Sequence, residues 1–165
     1  MPICGGRAVV DSTVYLGSGN AAFYAADTTR GELRWRYRTK SDGEEWTNPP
    51  VVADGVVYAS VNNPRPSAAA DGPGRAYAFD ADSGERLWTY GTTYSASPVT
   101  LTGGAIHFSD IFGSLHTLDP RTGKSWGDAR LADDTDPNRT VSGDRAYFNG
   151  GDGRLHAGRI SLTRG

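Results

Sequence analysis

Ala78-Phe79-Asp80-Ala81-Asp82-Ser83-Gly84-Glu85-Arg86-Leu87-Trp88 is the stretch on which the fold turns. A strand-like apolar segment ends at an aspartate, a glycine stands four residues on, and a tryptophan opens the next segment. Phe23-Tyr24-Ala25-Ala26-Asp27 with Gly31 and Trp35 repeats this order. Leu115-His116-Thr117-Leu118-Asp119 with Gly123 and Trp126 repeats it again, with the tryptophan one residue early. Each residue type has a physical reason for its place. The aspartate accepts hydrogen bonds from backbone N–H groups of the turn that follows. The glycine supplies the left-handed backbone of that turn. The tryptophan opens an outer strand and offers a large flat surface to a neighbouring unit. Asp27, Gly31, Trp35, Asp80, Gly84, Trp88, Asp119, Gly123 and Trp126 are therefore read as one structural motif used three times.

Working outward, each copy sits in a longer repeat. Val9-Val10-Asp11 leads to Val14-Tyr15-Leu16, and Val51-Val52-Ala53-Asp54-Gly55 leads to Val56-Val57-Tyr58. Val99 leads to Ile106-His107-Phe108, and Val141 to Ala146-Tyr147-Phe148. The leading valines stand 42, 48 and 42 residues apart, the spacing of four-stranded propeller blades. No segment carries sustained helical periodicity, so the fold class is all-β. The chain reads as one domain of about four blades, a partial propeller or half ring, over roughly 6–40, 48–92, 96–132 and 138–162. The fourth unit is incomplete: Arg159 stands where the aspartate should be, and no glycine–tryptophan pair follows.

Composition narrows the function classes. At 165 residues with a net charge of -2, the chain lacks the basic stripe of a nucleic-acid binder. Arg34, Arg36 and Arg38 alternate along one strand and read as a solvated outer face. Cys4 is the only cysteine, which excludes a vicinal disulfide and a zinc site built on thiolates. No window reaches the apolar length of a membrane span. Met1 as the true start implies a cytoplasmic protein; a fragment of a larger protein would be extracytoplasmic or membrane-attached.

Residues 78–88 resemble the tryptophan-docking motif of PQQ-enzyme repeats, in outline A-x-D-x-x-T-G-K-x-x-W, and residues 25–35 follow it with Arg30 in place of the threonine. The resemblance runs from Gly6 to Ala157. It implies a propeller whose tryptophans dock between adjacent blades, with seven or eight blades in a full ring. Members include quinoprotein dehydrogenases, an outer-membrane assembly scaffold and sensor domains of bacterial serine/threonine kinases. The dehydrogenase alternative implies PQQ and Ca²⁺ beside a catalytic aspartate; otherwise no cofactor and no metal is expected. The motif aspartates are accounted for as turn formers, so no catalytic residue is assigned and a binding or scaffold module is the favoured reading.

Two further sets complete the expectations. His107 takes the repeat position of Tyr15, Tyr58 and Tyr147, while His116 and His156 take that of Tyr24 and Tyr77, which predicts packing roles. Asp133-Asp134-Thr135-Asp136 reads as a solvated loop between blades, and Gly17-Ser18-Gly19-Asn20 as a hairpin turn. The loops that join second to third strands share a face with those that link blades, and loops on a rigid scaffold carry binding. Trp46, Glu44, Glu45, Asn62, Asn63, Arg65, Tyr94, Asp110 and Phe112 are the candidate rim for a protein partner or a small ligand. Self-association that completes a ring is a further expectation, because an open arc exposes apolar faces.

Overall fold

A computed structural model describes residues 6–19, 21–39, 46–62, 74–130, 135–150 and 152–160. Among them every regular element is a strand. The first sheet holds β1 (Arg7–Val10), β2 (Thr13–Ser18), β3 (Ala22–Asp27) and β4 (Leu33–Arg38), antiparallel and in chain order. The second holds β5 (Trp46–Thr47), β6 (Val51–Ala53), β7 (Val56–Asn62), β8 (Gly74–Asp80) and β9 (Arg86–Thr92). The third holds β10 (Thr100–Thr102), β11 (Ala105–Ser109), β12 (Ser114–Leu118) and β13 (Ser125–Arg130). The fourth holds β14 (Thr135–Ser142), β15 (Arg145–Gly150) and β16 (Leu155–Arg159). These are the four blades that the repeat predicts.

The two-residue hairpins that open the blades explain part of the regularity. Asp11, Asp54, Gly103 and Gly143 begin these turns with φ of 51°, 50°, 58° and 61°, the sign required by turns that match the twist of paired strands. In the second, third and fourth blades the first strand is broken by proline, which has no N–H to give to the ladder. Thr47 pairs with Val61 and Val51 with Tyr58, with Pro49 and Pro50 between them. Ala96 bridges Asp110 before Pro98, and β14 shifts register between Thr135 and Arg139, around Pro137. Two expectations change here. Trp46 and Thr47, read as part of a loop, add a strand segment beside β7. Thr135 and Asp136, read as loop, open β14.

The core is divided among the blade interfaces. Tyr15, Phe23, Ala25 and Trp35 of the first blade meet Val57, Ala59, Val61, Tyr77 and Phe79 of the second. Tyr58, Ala76, Ala78 and Trp88 meet Val99, Ile106, Phe108 and Leu118 of the third. Phe79 is wholly buried, which contributes roughly 1.5–3 kcal/mol for its side chain alone. The third interface is thinner, built on Leu115, Val141, Ala146 and Ile160. None of these three clusters joins the fourth blade to the first.

Strand register explains the thin interface. The pairing of third and fourth strands slips by one residue at the same place in three blades, between Ala25 and Ala26, Ala78 and Phe79, and Thr117 and Leu118. Trp35 then pairs with Ala25 and Trp88 with Ala78, but the partner of Thr117 is Gly127. Trp126 falls on the bulge, the place held by Arg34 and Leu87 in the other blades. His107, Thr117 and Gly127 thus occupy the positions of Tyr58, Ala78 and Trp88.

Candidate functional site

The docking motif holds the scaffold together. Asp27 accepts from Thr29 and Arg30 N–H at 2.9 and 3.0 Å, Asp80 from Asp82 and Ser83 at 3.1 and 2.8 Å, and Asp119 from Arg121 and Thr122 at 2.8 and 2.9 Å. The Arg34 guanidinium, donating at 2.7 Å, and these N–H groups hold the Asp27 carboxyl below its ordinary value. The Ser83 N–H and hydroxyl do the same for Asp80. For Asp119, desolvation pushes upward, but the N–H donors of Thr122 and Arg121 prevail. The Trp35 indole donates to the Ala81 carbonyl and lies on Gly84, where a Cβ would come within 2.6 Å of the ring. Trp88 repeats both contacts with the Pro120 carbonyl and Gly123.

On the opposite face, where blade links meet the turns between second and third strands, the rim residues come together in part. Trp46 is 60% exposed and pairs with Asn62 of β7, which pairs in turn with Gly74 of β8. Gly74 lies against the Tyr94 carbonyl, which also accepts the Thr92 hydroxyl. Tyr94 and Phe112 approach to 4.1 Å between ring centroids and are 39% and 51% exposed. Ile111 beside them is also exposed, a residue the sequence reading passed over. A polar seam runs beneath them. The Asn48 amide donates to Ser60 Oγ and the Ala96 carbonyl, and Ser60 Oγ donates to the Ser97 carbonyl.

Asp110 corrects one expectation. It is 4% exposed, so its carboxylate does not line the rim. Oδ1 accepts from the N–H groups of Phe112 and Ser114 at 2.9 and 3.0 Å, and Oδ2 faces His116 Nε2 at 3.4 Å. His116 Nδ1 lies 2.8 Å from Asp128, and its ring stacks on Phe108 at 5.1 Å. Asp110 therefore shapes the turn that carries Ile111 and Phe112, and its buried oxygens find their partners within the protein. His107 is 1% exposed and lies 3.1 Å from the Thr117 hydroxyl. Burial holds its imidazole below the usual histidine value, opposed in part by the Thr102 carbonyl. His156 stacks on Phe148 at 5.5 Å and meets Asp152 at 3.0 Å. Glu44, Glu45, Asn63 and Arg65 lie outside the described residues, as do Asp133 and Asp134.

A calcium-held quinone asks for several hard oxygen donors around one point. Among the described residues no three His, Cys, Asp or Glu side chains stand together as a metal-binding group. Asp110, the described carboxylate of the candidate rim, is committed to its own turn and to His116. The described rim does not fit that group. Its chemistry is that of an apolar, partly aromatic surface on a stiff sheet frame.

The repeated blades, the slipped outer strand and the docked indoles define a PQQ-like repeat propeller domain. Residues 1–141 match the family whose model is described as the outer membrane protein assembly factor BamB, and the chain belongs to that PQQ-like repeat family. A 1-butanol dehydrogenase (cytochrome c) of Thauera butanivorans is 32% identical over 139 residues, covering 72% of this chain and 18% of that protein. The chain thus spans under a fifth of that relative's length. Among solved structures, the computationally designed Ika4 protein matches with a TM-score of 0.75 at 13% identity, over 97% of this chain and 92% of that one. The quinohemoprotein alcohol dehydrogenase of Comamonas testosteroni matches with a TM-score of 0.63 at 18% identity, over 78% of this chain and 27% of that one. Among the described residues no helix is long and apolar enough to cross a membrane.

Proposed function

We propose that the chain is a non-catalytic propeller segment that binds a protein partner through its loop face. The observation that carries this is the exposed Tyr94–Phe112 pair, in which Tyr94 on the link after β9 meets Phe112, carried with Ile111 on a turn held by Asp110. Exposed aromatic residues on rigid backbone are what protein interfaces use as anchors, because little conformational freedom is lost when they are covered. The family's assembly-factor description supports a scaffold role. Small-ligand capture at the same rim and completion of a larger ring by the terminal blades belong to this reading.

Site-specific photocrosslinking in the producing cell tests it. A photoreactive amino acid at Trp46 and at Phe112 should trap the same protein from both positions. The same probe at Ser83, on the turn of the opposite face, should not trap it. No common adduct at the two rim positions would overturn the reading.

The resemblance to the butanol dehydrogenase favours a second reading, a partial quinoprotein oxidoreductase. Dye reduction by the purified chain with added PQQ and Ca²⁺ separates the two. Turnover with an alcohol would sink the non-catalytic assignment.

A further inference from the structure

On the face away from the rim, the turns of the first two blades enclose a cleft of about 470 Å³. Its floor includes the buried Tyr15, whose hydroxyl donates to the Ala81 carbonyl at 3.3 Å. Val10 and Val52 add apolar lining. Asp11, Asp54 and Asp82, all exposed, add three carboxylates. The cation of the lining, Arg34, gives its Nη2 at 2.7 Å to Asp27, which does not line the cleft. Among the described residues no ion pair holds Asp11, Asp54 or Asp82.

The next pair of blades shows that the fold does not need these charges. Gly103 opens the third hairpin where Asp11 and Asp54 open the first two. Arg121 follows Asp119 where Asp82 follows Asp80, and Leu87 holds the place of Arg34. The equivalent residues between the second and third blades therefore carry Asp54 and Arg121, whose charges cancel. The surplus of carboxylates belongs to one cleft and not to the repeat.

Volume and spacing select the ligand. A cavity of this size suits a small organic group. A metal ion draws hard oxygen donors to within about 2.6 Å of one point, and among the described residues no three such side chains stand together. Separated carboxylates beside an apolar floor fit an ammonium on a carbon chain. Such a chain lies along apolar surface while its charged end stays with the carboxylates and water. We propose that this cleft binds a primary alkylammonium group, held among Asp11, Asp54 and Asp82 with its carbon chain over Tyr15, Val10 and Val52. A free aliphatic amine and a lysine side chain both present that group. The site is separate from the rim and does not depend on what the rim binds.

Backbone NMR of the full chain, titrated with n-pentylamine, tests the site. The amides of Ser12, Gly55 and Asp82 should shift saturably, while Gly104 and Arg121 of the next pair of blades stay in place. Two controls divide the probe: n-pentanol keeps the chain without the charge, and ammonium chloride keeps the charge without the chain. Each should bind about tenfold more weakly or worse. Asp54→Asn retains a residue that accepts the left-handed turn and should weaken pentylamine by about threefold or more. Asp82→Arg, which copies the next cleft, should abolish the shifts, with its melting temperature showing that the blade still folds. If Asp82→Arg does not fold, Asp82→Asn must weaken the same titration. Acetyl-lysine amide run alongside separates the sources: tighter binding than pentylamine assigns the site to a lysine side chain, and weaker binding assigns it to a free amine. Equal binding of either control, or shifts that Asp54→Asn and the Asp82 variant leave unchanged, would overturn the proposal.

Discussion

The indole of Trp35, in the first blade, donates to the carbonyl of Ala81, in the second, at 2.8 Å. Trp88 repeats the bond to Pro120 at 2.9 Å. The side chain is mostly apolar area and the single polar atom is satisfied, so the burial carries no unpaired donor. Trp88→Ala should therefore lower unfolding stability by roughly 3–5 kcal/mol, and Trp35→Ala by a similar amount. Trp126→Ala, on the bulge and half-buried, should cost about 1 kcal/mol or less. Urea unfolding of the three variants checks the order, and a large loss at Trp126 would contradict the register.

Gly84 and Gly31 share one backbone conformation but not one environment. A methyl group at Gly84 must strain the left-handed backbone and also displace Trp35, whereas at Gly31 it meets open space. Gly31→Ala should cost about 1 kcal/mol, from the backbone alone. Gly84→Ala should cost about 1–3 kcal/mol more, from overpacking. Thermal melts of the two variants side by side give the difference directly.

Acid should destabilise the chain in two stages. His107 is held below the ordinary histidine value of 6.5, so the unfolded chain binds that proton more readily. Its contribution is complete above about pH 6.5 and is lost as pH falls from there through the folded value. Asp27 and Asp80 are held below 3.8 by the Arg34 and Ser83 hydrogen bonds respectively. Their contribution is present above the ordinary carboxylate range and disappears as pH falls through the lower folded values. Melting temperature against pH should fall in both windows, and His107→Gln should flatten the first while leaving the second.

Tyr94 and Phe112 touch each other and solvent rather than the interfaces between blades. Phe112→Ala should change stability by no more than about 0.5–1 kcal/mol, while the adduct trapped from a probe at Trp46 should fall. Loss of stability comparable to that of Trp88→Ala would place Phe112 in the fold and not in the partner surface.

The order aspartate, glycine, tryptophan was enough to read the blades, because a turn, a left-handed residue and a docked ring are each demanded by local chemistry within eleven residues. Alternation along Phe23–Asp27 and Ala76–Asp80 was likewise enough to read the strands. The one-residue advance of Trp126 was visible, but its consequence was not. Only the pairing of Thr117 with Gly127 shows that the bulge keeps its place and the tryptophan loses the docking position. The sequence puts Asp110 on the rim because its loop is there; its burial beside His116, six residues on and on the next strand, is encoded by no local pattern. The turn from Asp27 to Gly31 is the same case in reverse. Asp27 and Gly31 fully specify the turn, whereas whether an indole lies on it depends on what packs beside the blade, and packing between blades is a property of the tertiary structure alone.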